Sequence, residues 1–111
     1  MNENTNNNNV STTTNVWRAN LCTARHPNGI SESVFSELDG SQLMDFDELQ
    51  AQALAYVLAR RDDGYKEIHL YVTGASMCLV AAINACHFFD MPLVAYHYNR
   101  DTNEYVPQGV L

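Results

Sequence analysis

Arg25 and His26 stand together just past an apolar run and beside Pro27-Asn28-Gly29, and they are the sharpest chemical feature of the chain. A guanidinium holds phosphate through charge-assisted bonds, and an imidazole exchanges a proton near neutral pH. A second feature is Thr73-Gly74-Ala75-Ser76, small residues between a strand pattern and a helix pattern. They let a ligand approach the backbone, and the N–H groups that open a helix attract anions. The turn is neither a Walker loop nor the dinucleotide fingerprint, because the repeated glycines and the lysine are absent. A third is Tyr96-His97-Tyr98-Asn99-Arg100, which offers aromatic faces for a base and a further cation. Each has a plainer reading as well: a solvated loop, a tight packing turn, and a hairpin whose tyrosines meet Tyr105 across the strands.

These residues form one site only if the chain brings them to one edge. In a parallel α/β sheet the ligand edge lies at the carboxyl ends of the strands. Residues 16–23 read as the first strand, with Trp17 among its apolar residues and Arg18 and Asn20 as polar intrusions. Asn20 either caps the strand end or contacts a ligand, and Thr23 closes the run. Residues 31–38 carry Ser31 as an N-cap and Val34, Phe35 and Leu38 on one face, which predicts a short helix. Asp39-Gly40-Ser41 is a turn. Asp45 with Glu48 three residues on opens a long helix that ends at Arg60-Arg61-Asp62-Asp63-Gly64. Residues 68–72 predict a strand, 75–89 a helix packed on a sheet through alanines, and 92–98 a strand buried on both faces. Residues 104–106 return as an edge strand closed by Pro107. The expected fold is α/β, a minimal Rossmann-like three-layer fold with a short parallel sheet and a C-terminal edge hairpin. Residues 1–15 are almost all Asn, Thr and Ser and predict a disordered polar tail, leaving 16–111 as a single domain.

Composition narrows the class. A net charge of −7 argues against nonspecific binding to duplex nucleic acid, while a small anionic ligand needs only well-placed cations. No secretory signal or membrane-length apolar run is present in the sequence, which predicts a cytoplasmic protein. The three cysteines, Cys22, Cys78 and Cys86, are odd in number and lack zinc-ligand spacing. They read as small buried hydrophobes. His69 and His87 have no partner in sequence and read as structural; no metal or cofactor is expected.

Three segments in order carry a resemblance: Asn20-Leu21-Cys22-Thr23, then Leu43-Met44-Asp45-Phe46-Asp47-Glu48-Leu49, then Thr73-Gly74-Ala75-Ser76. A small-residue helix, Met91-Pro92-Leu93-Val94-Ala95-Tyr96 and a polar hairpin near Arg100 complete it. From Val16 to the end the chain resembles the small accessory proteins of type III CRISPR systems, relatives of the CARF-like domains that sense cyclic oligoadenylate. The resemblance implies a homodimeric ring nuclease that binds cyclic tetra-adenylate across its two-fold axis and cleaves it without metal, switching off signalling. It would assign phosphorane stabilisation to Arg25 and acid–base transfer to His26. Thr73, Gly74, Ala75 and Ser76 would cradle phosphates, and Tyr96 and Tyr98 would flank adenine, beside His97 and Arg100. The final strand pair is shorter than in such relatives. Two other classes stand beside it. One is a sponge or sensor that binds the ring through the same residues without cleaving it. The other is a phage-borne protein that inhibits a defence complex by binding it, which the acidic charge would suit and for which the rim residues would be incidental.

Overall fold

The computed structural model describes residues 15–23, 28–36 and 38–111. The expected tail falls outside the described residues except for Asn15, whose carbonyl accepts from the Lys66 N–H at 2.8 Å and so belongs to the fold. The elements run β1 (Val16–Asn20), α1 (Gly40–Leu43), α2 (Phe46–Asp62), β2 (Glu67–Tyr71), α3 (Ser76–Phe88), β3 (Leu93–Asn99) and β4 (Glu104–Gly109). The chain is thus mixed α/β with one open four-stranded sheet. No helix among the described residues is long and apolar enough to cross a membrane.

The helices begin and end where side-chain chemistry permits. The Asp45 carboxylate accepts from the Glu48 N–H at 3.2 Å and opens α2. Arg60 and Arg61 lie in its last turn, and Gly64 follows at φ +97°, where a side chain would be strained. Asp39-Gly40-Ser41, expected as a turn, instead opens α1 through a capping box. Asp39 accepts from the Gln42 N–H while the Gln42 side chain accepts from the Asp39 N–H.

The sheet order is β1-β2-β3-β4, with β1, β2 and β3 parallel and β4 antiparallel. Each crossover steps one strand in the same direction, so right-handed connections put both long helices on one face. There Leu49, Ala53 and Val57 of α2 and Cys78, Ala82 and Cys86 of α3 pack on Ala19, Ile68, Leu70 and Leu93. Alanines and cysteines along α3 let it lie close to the strands. The three-layer expectation is therefore corrected to two layers among the described residues. The second face carries Arg18, Glu67, His69, Tyr71, Tyr96 and Tyr105, placed together by strand alternation and register. It also follows that β3 is fully buried on one face only: Leu93 and Ala95 point to the core, while Val94 and Tyr96 are half-buried.

Two further boundaries differ from expectation. Residues 31–35 form no helix; they run alongside the end of β1, with Asn20 and Ser33 bridged in parallel. The Asn20 N–H donates to the Glu32 carbonyl at 2.8 Å, and the Val34 and Phe35 N–H groups donate to the Asn20 and Leu21 carbonyls. The outer edge of β1 would otherwise leave these groups without partners. The extended path also seats Phe35 in the core at 1% exposure, worth about 2–3 kcal/mol. At the other end, β4 runs through Pro107 to Gly109 instead of stopping there. An edge strand admits proline because many of its N–H groups have no ladder partner.

Burial sets the cysteine chemistry. Cys78 and Cys86 are both fully buried, and loss of solvation pushes each thiol up to about 12. Cys22 is raised for the same reason. Iodoacetamide at pH 8 should therefore leave Cys78 and Cys86 unmodified in the native chain and alkylate both in guanidinium, as read by intact mass. Rapid native alkylation of either would show that the helix packing is looser than described.

Candidate functional site at the carboxyl edge of the sheet

The ends of β1 and β2 are fastened to each other by Thr73. Its Oγ1 accepts from the Cys22 N–H at 3.1 Å and donates to the Cys22 carbonyl at 2.7 Å. Gly74 follows at φ +82°, and a Cβ built there would sit 2.7 Å from the Cys22 Sγ and 2.8 Å from its Cβ. Glycine is required here twice over, for its backbone conformation and for the close approach of Cys22. Thr73 is thereby committed to the protein, so the hydroxyl expected to face a ligand is a clamp.

Beyond Gly74 the site opens. Ala75 is the N-cap of α3 and offers no side-chain acceptor; the Cys78 N–H donates to the Ala75 carbonyl at 3.1 Å, and the Ser76 and Met77 N–H groups ahead of it stay available to a ligand. Gly74 and Ser76 are exposed and Ala75 is half-buried. Positive helix-end potential, open N–H groups and the Ser76 hydroxyl together suit an anionic oxygen.

Asn20 is 1% exposed and fully engaged. Its Nδ2 donates to the Ile30 carbonyl at 2.8 Å, and its Oδ1 accepts from Asn28 Nδ2 at 2.8 Å. Asn28 in turn accepts from the Ile30 N–H at 3.0 Å. Of the two readings open from sequence, the structure fills the structural one: Asn20 shapes the loop. Beside it lies a cleft of about 520 Å³ lined by Thr23, Ser31, Glu32, Ser33 and Ser36. Hydroxyls and a carboxylate suit the hydroxyls of a sugar, which both donate and accept. Sequence reading missed these serines because it put them on a helix; the run Ser31-Glu32-Ser33 was the available signal.

Arg25 and His26 lie outside the described residues, between Thr23 and Asn28 in the chain. The third segment is divided by strand alternation. Tyr96 stacks on Tyr71 with ring centroids 4.7 Å apart, on the face away from the helices. Tyr98 meets Tyr105 edge-on at 5.3 Å, and its hydroxyl donates to Asn103 Oδ1. His97 faces the other way and bonds Gln108 Oε1 at 2.8 Å. Arg100 is exposed in the turn after β3. The hairpin of facing tyrosines is thus present, and it separates His97 from the tyrosines it was grouped with.

Among the described residues, no three of His, Cys, Asp and Glu converge in a way that could hold a metal ion. The carboxyl edge therefore gathers Thr23, the Gly74-Ala75-Ser76 turn and a serine-lined cleft around the end of β1. Comparison with protein-family models, with curated proteins and with solved structures gives no match to this chain.

Proposed function

We propose that this chain is a cytoplasmic, minimal Rossmann-like protein that binds a cyclic oligoadenylate, most specifically cyclic tetra-adenylate, and cleaves it. The observation that carries the reading is the uncapped start of α3 behind Gly74, at the end of a central parallel strand. It supplies phosphate donors without a charged side chain, beside a cleft whose hydroxyls suit ribose. Cleavage would use the ligand's own nucleophile. The ribose 2′-oxygen forms a bond to the adjacent phosphorus, the bond from phosphorus to the 5′-oxygen breaks, and a 2′,3′-cyclic phosphate remains. The 2′-hydroxyl proton passes to a base and the 5′-oxygen gains one from an acid, roles assigned to His26. Arg25 would stabilise the added negative charge on the phosphorane.

A ring of identical nucleotides has rotational symmetry, and one rim of so small a domain covers only part of it. An isologous homodimer would cover both halves. Sequestration is the second reading: the N–H groups at the start of α3 and the Ser76 hydroxyl would hold phosphate whether or not cleavage follows. Incubation with cyclic tetra-adenylate, with and without EDTA, separates the two. The enzyme reading expects linear products ending in a 2′,3′-cyclic phosphate in both conditions, and light scattering expects a dimer mass with ligand present. Tight binding without turnover would replace the nuclease by the sponge. No binding at tens of micromolar would overturn both and leave the protein-binding class.

A further inference from the structure

We propose that the open face of the sheet carries a second site, in which Tyr96 is a nucleophile toward a phosphate ester, His69 its base, Arg18 the anion holder and Glu67 a positioning residue. Glu67 and His69 share a face of β2 two residues apart, while Arg18 and Tyr96 come from the flanking strands and reach His69 only through register. His69 is 9% exposed, with Arg18 beside it on β1 and Tyr96 diagonally across on β3. Its Nε2 bonds the Glu67 carboxylate in a short contact. Its Nδ1 lies 3.3 Å from Arg18 Nη1 and 3.3 Å from the Tyr96 hydroxyl.

Those partners fix the tautomer. A guanidinium only donates, so Nδ1 must present its lone pair, and the ring proton sits on Nε2 facing Glu67. At rest that lone pair is shared between the Arg18 N–H and the Tyr96 hydroxyl; an anionic substrate that draws Arg18 away leaves it facing the phenol, the geometry in which a base takes a phenol proton. Glu67 stabilises the imidazolium that results, and Arg18 stands by the phenolate. The contact with the Tyr96 hydroxyl raises the Arg18 guanidinium, so Arg18 touches both partners. Arg18 is exposed, and no carboxylate pairs with it among the described residues, which leaves donors for an anionic substrate. Tyr71 stacks against Tyr96 and Tyr105 meets Tyr71 edge-on, holding the ring in place.

In the reaction, the Tyr96 oxygen forms a bond to phosphorus, the ester oxygen leaves with its electron pair, and the phenol proton moves to His69 Nδ1. His69 then returns that proton to the leaving alkoxide. The site is independent of the carboxyl-edge reading, and its test uses no cyclic nucleotide.

The probe is 4-fluorosulfonylbenzoate, whose tetrahedral sulfonyl stands in for phosphoryl and whose carboxylate stands in for the remaining anionic oxygens. The Tyr96 oxygen attacks sulfur, fluoride leaves, and peptide mass locates the sulfonate ester. Tyr96 should be labelled at least tenfold faster than Tyr98 or Tyr105. His69→Asn should remove most of that advantage. Glu67→Gln should shift the pH profile of labelling, with Arg18, Tyr71 and Tyr96 the other ionisable groups facing His69. Arg18→Ala, an exposed change that leaves the core untouched, should abolish the preference for this probe over neutral benzenesulfonyl fluoride. Labelling of Tyr96 no faster than Tyr98, or rates unchanged in both Arg18→Ala and His69→Asn, would overturn the site.

Discussion

Gly74→Ala should lower the stability of the chain by about 3 kcal/mol. At φ +82° an alanine is strained by about 1 kcal/mol or more. The new methyl also lands 2.7 Å from the Cys22 Sγ and 2.8 Å from its Cβ, well inside contact distance. Cys22 cannot step aside, because its N–H and its carbonyl are both held by Thr73 Oγ1. Overpacking of this kind costs about 1–3 kcal/mol. In urea the midpoint should fall with the slope unchanged, since the surface exposed on unfolding is the same. Cys22→Gly in the Gly74→Ala background removes both colliding atoms. A double-mutant cycle should return the collision energy and leave the backbone strain, two parts that separate cleanly. A loss below 1 kcal/mol for Gly74→Ala would mean that the turn is open, and the fixed helix start proposed as the phosphate site would lose its support.

What could be read beforehand follows the range of the interactions involved. The long helices, the parallel strands and their order of appearance rest on local periodicity and on caps such as Asp45, which act within a turn of chain. The run 31–35 could not be read that way. Its apolar spacing suits a helix, but the unpaired edge of β1 offers Val34 and Phe35 backbone partners that no local pattern reports. Tertiary pairing overrode propensity there. The layer count failed for a related reason. Alternation in β3 looks nearly continuous because Tyr96 and Tyr98 are large and half-buried, yet strand order leaves that face without a helix. For the site, Gly74-Ala75-Ser76 was legible as a turn at a strand end. That Thr73 and Asn20 are spent on the protein was not, since their partners are 51 and 10 residues away. His69 is the strongest instance: nothing beside it in sequence suggests Arg18 or Tyr96, each reached only across a strand pair.

If the chain is a nuclease, Arg25→Ala should slow cleavage about a hundredfold, equivalent to roughly 3 kcal/mol. The argument turns on when the charge develops. The phosphodiester carries one negative charge in the ground state and approaches two in the phosphorane. A guanidinium placed on those oxygens therefore stabilises the transition state more than the bound ring. Binding of cyclic tetra-adenylate should weaken far less, because the N–H groups at the start of α3 still hold phosphate oxygens. A fall in kcat with little change in Kd would follow, the pattern of an interaction made chiefly in the transition state. His26→Ala should flatten the dependence of kcat on pH around neutrality if that imidazole moves the proton. A sponge gives a different pattern: no turnover in the parent chain, and an increase in Kd alone on Arg25→Ala. Should both substitutions leave binding and cleavage untouched, the turn is a solvated loop. The ring would then be held and cut elsewhere, with His97 on β3 and Arg100 in the turn after it the next pair to substitute.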